Sequence, residues 1–319
     1  MKKRILLYVL AAGLFASLIV HSAEARAGAA AGARLWSGLL VPSLLPYFAA
    51  AGLLSRLGAV EAFGRRAAPL GRRLLGLSAA GTGIFLLALT GGYPLGAAAA
   101  AEAVRAGRLS REEAGALLRF GDNTGPAFAV GALGVGVFGC AEVGLALWGI
   151  HALCALALGI LLPHCVSYGG AAAPHRGAVS FSEALTDSLS AAVTALLSIG
   201  GYVIFFSALL AVGDALGFPG AASKACARAT PLDEGSLRAL FTGALELSSG
   251  IGAMASLPRD AGTFTLGAFL LGWGGVCVHL QSVAVTTGTG IDLRPRLWGK
   301  LLHGVLSAAC AYILAPFVL

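Results

Sequence analysis

Charge is what this sequence has least of. Only 12% of its 319 residues are Asp, Glu, Lys or Arg, while 57% are hydrophobic, against about 25% and roughly 45–50% in an ordinary soluble domain. The imbalance excludes a chain whose surface is mostly wet, because the excess apolar area has to face lipid or other buried helices. Stretches 77–101 and 188–213 hold no charged residue at all, and each is longer than the ~20 residues that cross ~30 Å of hydrocarbon. Paired cysteines are missing too: Cys140, Cys154, Cys165, Cys226, Cys277 and Cys310 are scattered with no CxxC spacing. That argues against a redox or metal centre and for small buried hydrophobes. No metal-ligand spacing, phosphate loop or nucleophile elbow occurs, so neither a cofactor nor an enzyme active site is expected. The excess of 22 Lys and Arg over 15 Asp and Glu does not point to nucleic acid. The cations lie in connections between apolar segments, where they read as topology signals.

What is present is a series of long apolar runs, so the fold class expected is an all-α polytopic membrane protein. The N-terminus, Lys2-Lys3-Arg4, uncharged 5–20 and then Ala23-Glu24-Ala25, fits a retained first helix or a signal peptide with a small-residue cleavage site. Further runs lie at about 35–57, 77–101, 127–163, 188–213, 239–257, 261–291 and 297–319. Many are interrupted: Pro42 and Pro46, Gly91-Gly92 with Pro94, Gly125-Pro126, Gly200-Gly201 and Gly274-Gly275 fall within or beside them. A helix broken in lipid must have its freed backbone groups satisfied by protein or by a wet cavity.

The chain also resembles itself. Thr90-Gly91 recurs as Thr242-Gly243, an offset of 242 − 90 = 152, and His151 recurs as His303, again 303 − 151 = 152. Around them the order repeats: a Tyr-Phe segment, a Thr-Gly break, a Gly-rich polar break (121–126; 272–281), then a helix bearing Trp-Gly and His. Matched broken helices in two halves are the architecture of many secondary transporters; chance coincidence in an Ala/Gly-rich chain is the other reading. The expected division is an N-terminal transmembrane helix and connection (1–34), a first membrane repeat (35–163), an external linker (164–187) and a second repeat (188–319), each repeat built of transmembrane and broken or re-entrant helices. By the positive-inside rule, the clusters Arg56, Arg65, Arg66, Arg72, Arg73 and Arg294, Arg296, Lys300 are expected on the cytoplasmic side. The mixed charges of 102–122 leave the relative orientation of the halves, parallel or inverted, open.

Polar side chains at membrane depth cost ~2.5–3.5 kcal/mol and tend to be kept for function. Few qualify. Glu246, followed by Ser248, Ser249 and Gly250, reads as a proton or cation site, or else as a carboxylate at an interfacial helix end. Asp122, Asn123, Thr124 and Gly125 before Pro126 form one polar break, and His279, Gln281 and Ser282 after Gly274-Gly275 form another. Asn123 or Thr124 can cap the next helix, whose free N–H groups would suit an anion, or simply cap a buried turn. Tyr93, between Gly92 and Pro94 and close to Gly96, offers a ring to a flat substrate or packs at an interface. His151 and His303 read as interhelical hydrogen-bonding groups or as a proton relay.

These breaks carry a resemblance to a known family. VPSLLPYF at 41–48, TGGYPLG at 90–96, FGDNTGPAFAVGALGVGVFG at 120–139, LELSSGI at 245–251, GGVCVHLQS at 274–282 and KLLHGVLSA at 300–308 resemble the sporulation integral membrane protein YlbJ/SpoVV family, with its nucleoside recognition/Gate type of repeat, from about Leu35 to Leu314. The resemblance implies a bacterial cytoplasmic membrane protein, or one of the mother-cell-derived outer forespore membrane, associated with moving dipicolinate during sporulation. It marks Gly92, Tyr93, Pro94, Gly96, Asn123, Thr124, Gly125, Pro126, Glu246, His279 and Gln281. Where the family pattern implies a basic residue this chain has Ala98, and it has Asp122 in place of a Ser- or Asn-type residue, so an anion is expected to meet less positive charge. The function expected is alternating-access transport of a small organic anion, with a proton or cation as coupling partner and the bilayer as surroundings. A non-transporting scaffold for the spore envelope and a carrier of nucleoside-like solutes are the alternatives. The number of subunits is not set by the sequence.

Overall fold

The computed structural model describes residues 2–162 and 180–319, and among these every regular element is helical. The expected linker at 164–187 therefore lies mostly outside the described residues, as do Cys165 and Arg176. Its last residues, from Phe181, already belong to a helix. In chain order the helices are α1 (Lys2–Val20), α2 (Ser22–Leu35), α3 (Val41–Arg56), α4 (Ala59–Leu70), α5 (Ala79–Gly91), α6 (Leu95–Arg105), α7 (Arg111–Leu118) and α8 (Pro126–Phe128). They continue with α9 (Ala141–Leu161), α10 (Phe181–Ala215), α11 (Phe218–Ala227), α12 (Glu234–Leu245), α13 (Leu247–Met254), α14 (Ala261–Trp273), α15 (Gly275–Thr286) and α16 (Arg294–Val318). Wider π-helical stretches join α2 to α3 (Trp36–Leu40) and extend α4 (Gly71–Leu75) and α8 (Ala129–Phe138).

Five helices of the described residues are long and apolar enough to span a bilayer: Ser22–Arg56, Ala141–Leu161, Phe181–Ala215, Ala261–Thr286 and Arg294–Val318. The first runs through residue 34, where a connection was expected, because nothing at Arg34-Leu35 breaks a helix. Residues 59–75 and 79–91 form a pair bent by 92°, a broken span or a re-entrant turn. Helices α5, α6, α12 and α13 have 13, 11, 12 and 8 residues, hence lengths of ~12–20 Å at ~1.5 Å per residue, too short to cross alone.

Their starts are encoded locally. Ser78, Ser110, Asp233 and Asp260 each accept a backbone N–H of the following turn, and Ser180 with Glu183 forms a capping box for α10. Glu113, almost fully buried, accepts the Ser78 N–H at 2.6 Å, and burial raises its carboxyl above the ordinary range. Adding 152 to α5, α6, α7 and α9 gives 231–243, 247–257, 263–270 and 293–313, which fall on α12, α13, α14 and α16.

Two apolar clusters hold the bundle. One gathers Phe48, Phe128, Leu133, Phe138, Leu147, Phe264 and Leu271; the other gathers Leu77, Phe85, Leu117, Leu118, Phe120 and Leu158. Large side chains such as Leu145, Leu153, Leu197, Phe205, Tyr312, Ile313 and Phe317 stay exposed on the long helices, as outward faces meeting lipid require. Between helices, lipid supplies no hydrophobic drive, so close packing of small residues replaces it. Along α2, Gly28 and Gly32 lie four residues apart against Ser207, Ala208 and Ala211 of α10, and a Cβ on Gly32 would come within 2.7 Å of the Ser207 hydroxyl.

That contact generates a prediction. Gly32→Leu should part α2 from α10 and cost about 1–3 kcal/mol, the usual penalty of overpacking. Gly13→Leu, where nothing lies within 4 Å, should leave thermal unfolding in detergent unchanged. Equal melting temperatures for the two variants would show that the crossing does not depend on Gly32.

Candidate functional site

The site is built from helix breaks that meet. The α5–α6 break turns at Gly92, whose φ of 86° only glycine adopts without strain, and a Cβ there would lie 2.9 Å from the Gly125 nitrogen. In the second half, the α14–α15 break turns at Gly274 and Gly275, and a Cβ on Gly275 would lie 3.0 Å from Gly243 O and 3.2 Å from Leu247 N of the α12–α13 break. The two halves touch where the Tyr93 ring packs on Gly274.

Each break frees carbonyls that have no intrahelical partner, and polar side chains take them. Leu271 O, in the last turn of α14, accepts from the Tyr93 hydroxyl at 3.2 Å and the Thr124 hydroxyl at 3.1 Å. The Trp148 indole donates to Leu89 O at 3.2 Å and the Trp273 indole to Ala244 O at 3.0 Å. Asn123 Nδ2 donates to Phe120 O at 2.8 Å. Conversely, the Glu246 carboxylate accepts the Ser248 and Ser249 N–H groups at 3.0 and 2.7 Å, capping α13.

At the centre lies an ionic cluster. Arg296, Lys300 and His303 are spaced i, i+4, i+7 on α16, one face of the helix, and all three are buried. Arg296 donates to Asp122 Oδ2 through Nε at 3.0 Å and Nη2 at 2.6 Å, and its Nη1 contacts His279 Nδ1. Ser282 Oγ donates to the same Asp122 Oδ2 at 2.8 Å. Lys300 Nζ reaches Asp122 O at 2.8 Å, Asn123 Oδ1 at 3.5 Å and His303 Nδ1 at 3.0 Å, and lies 5.1 Å from the centre of the Tyr93 ring. His303 Nε2 donates to His151 O at 2.9 Å, so its Nδ1 is the acceptor for Lys300. His151 Nε2 accepts the Thr124 N–H at 3.1 Å, and the two imidazoles stack with centroids 4.2 Å apart. Gly299 lets α16 approach: a Cβ there would collide with the Arg119 backbone.

Several expectations change. Arg296 and Lys300 are not surface topology signals but the cations of the site; Arg294 alone of that group is exposed, paired with Asp292 at 2.9 Å. Arg296 and Lys300 both stand beside Asp122, the residue found where the resemblance implies a Ser- or Asn-type side chain. Neither Asn123 nor Thr124 caps the next helix, whose N-cap is Gly125; both side chains point to carbonyls instead. The Tyr93 ring is packed rather than open to a flat ligand. Glu246 sits at a helix end, as one of its two readings had it, although buried. Gln281 contacts Cys277 Sγ at 3.3 Å and lines a small cleft of about 60 Å³ with Phe48, Pro94, Leu95, Ala98 and Ser198. A cleft of that size has room for no more than a few water molecules. His151 and His303, read as interhelical hydrogen-bonding groups or a proton relay, are joined by the His303 Nε2 to His151 O bond, and Lys300 links them to Asp122. The spacing of Arg296, Lys300 and His303 within an apolar run was the signal that would have found the cations.

No protein-family model matches the chain, and no solved structure matches it. Among curated proteins it is similar to the sporulation integral membrane protein YlbJ of Bacillus subtilis (strain 168), 26% identical over 332 aligned residues that cover 94% of this chain and 80% of the relative. This match supports the YlbJ family for the chain.

Breaking a buried ion pair from one side leaves an uncompensated charge and costs about 3–5 kcal/mol. Asp122→Ala and Arg296→Ala should each lower thermal stability in detergent to that extent. The double variant Asp122→Leu/Arg296→Met should recover much of the loss. Additive losses in the double variant would show that the pair is not coupled.

Proposed function

We propose, starting from that kinship with YlbJ, that this protein is a membrane transporter or facilitator of a small organic anion, working by alternating access at a midplane site during sporulation. Dipicolinate is the first candidate substrate. The observation that carries the reading is the buried cluster at the crossing of the breaks, which holds two cations, Arg296 and Lys300, and one carboxylate, Asp122. Charged groups at that depth are expensive and mark ion and substrate pathways. Paired breaks in two halves, with elements recurring at the 152-residue offset, support a duplicated transporter unit with its site at the interface of the repeats. The cleft beside Pro94, Leu95 and Gln281 is too small for an aromatic dicarboxylate, so binding requires the short half-helices to part. The cells' cytoplasmic membrane, or the outer forespore membrane derived from it, is the proposed location.

The test is uptake of labelled dipicolinate by proteoliposomes. Saturable uptake above protein-free vesicles is expected, and Arg296→Lys should raise KM by about tenfold, since a point charge replaces a planar fork that pairs with carboxylates. Thr124→Cys, in a background without the six native cysteines, should react slowly with a membrane-impermeant thiol reagent as the site opens, and excess dipicolinate should slow it further. No uptake, together with a Thr124→Cys that is inert from both sides, would overturn transport and leave a scaffold of the spore envelope.

A further inference from the structure

The Asp122 carboxylate is used on one side only. Its Oδ2 receives three donors, Arg296 Nε, Arg296 Nη2 and Ser282 Oγ, while Oδ1 is buried without a partner. That oxygen faces the first turn of α6, where a Cβ on Gly96 would lie 3.2 Å from it. The same turn, at Pro94, Leu95 and Ala98, walls the cleft. The titratable groups around Asp122 are Arg296, Lys300 and His303 on α16, with His151 of α9 stacked on the last, His279 on α15, and Tyr93 at the α5–α6 break. Lys300 does not share the carboxylate. Its three N–H donors meet three neutral acceptors, the carbonyl of Asp122, the amide of Asn123 and the imidazole of His303. Only Arg296 therefore neutralises Asp122, and Asp122 occupies the guanidinium edge that a substrate carboxylate would need.

We propose that Asp122 is the proton-binding partner of the transported anion: a substrate carboxylate displaces it from Arg296, Asp122 then takes a proton from water, and one proton travels with each anion. The proposal rests on the transporter reading above. Its physical basis is charge. In the empty site Arg296 and Asp122 neutralise each other; a substrate carboxylate that takes Arg296 leaves the Asp122 charge unmatched, and one proton removes it. Without the proton, a displaced Asp122 would be a buried carboxylate with no counter-ion, a state that groups at such depth avoid by neutralising. The unpartnered Oδ1 is the atom free to accept it. Binding of anion and of proton are then linked, and each strengthens the other by the same factor.

The measurement is proton uptake on binding. Detergent-purified protein in weak buffer is mixed with dipicolinate between about pH 6.5 and 8.5, where both of its carboxyl groups are ionised. A pH indicator should report about one proton taken up per anion bound, and the Kd should rise by up to about tenfold per pH unit towards the alkaline end. In proteoliposomes, an imposed gradient, acidic on the side of entry, should drive accumulation. Asp122→Asn, which keeps an acceptor for Arg296 and Ser282, should lose the proton uptake, the pH dependence of Kd and gradient-driven accumulation together. Dipicolinate binding by the wild type with no proton uptake would overturn the coupling while leaving transport standing, as would gradient-driven accumulation by Asp122→Asn. No binding at any pH would overturn the transporter reading and this proposal with it.

Discussion

The bond between Asp122 and Arg296 joins residues 174 positions apart, and the interior of the protein is arranged around it. It fastens the second break of the first half to the last helix. Taking two charges out of water is costly, and the pair holds only where geometry and further hydrogen bonds compensate. Here Ser282 supplies a third donor to the carboxylate, and His279 stands beside the guanidinium. The Asp122 carbonyl is then positioned to receive Lys300, and Lys300 to meet His303. The stacked histidines carry the same chain of contacts on to Thr124 and back to the first-half break.

Much of the helical frame was readable because its signals are local. Uncharged runs, and glycine and proline at their interruptions, each act over a few residues. Asp122, Asn123, Glu246, His279 and Ser282 stood out because a polar residue in an apolar run is conspicuous wherever it points. Arg296 and Lys300 did not, since a cation near the start of a terminal helix satisfies the positive-inside rule as well as it satisfies a buried carboxylate. Only a partner brought from the other half distinguishes the two. The same limit hid the roles of Tyr93 and Thr124, whose acceptor, Leu271 O, is a carbonyl that exists as a free group only because another helix breaks at Gly274.

The broken helices explain why so many hydroxyl, indole and amide groups lie deep in an apolar protein. Each interruption exposes carbonyl or N–H groups, and at membrane depth these need a partner within the protein. Trp148, Trp273, Asn123 and Glu246 answer that need within their own halves, whereas Tyr93 and Thr124 answer it across the halves. Such cross-half hydrogen bonds are neutral and single, weaker than the ion pair and easier to exchange. The interface between the halves thus combines the contacts centred on Asp122 with these lighter ones.

Gly299 carries no charge and makes no polar side-chain contact, yet it sits between Arg296 and Lys300, with the Arg119 backbone where its side chain would be. One methyl group there would push α16 outward and lengthen the contacts of Arg296 and of Lys300 at once. A substitution that inverts no charge would then resemble, in its effect, the loss of Asp122 itself. Tolerance to change along α16 is therefore governed by size as strictly as by polarity, and a survey of variants that scored only charged positions would miss the residue on which their spacing depends.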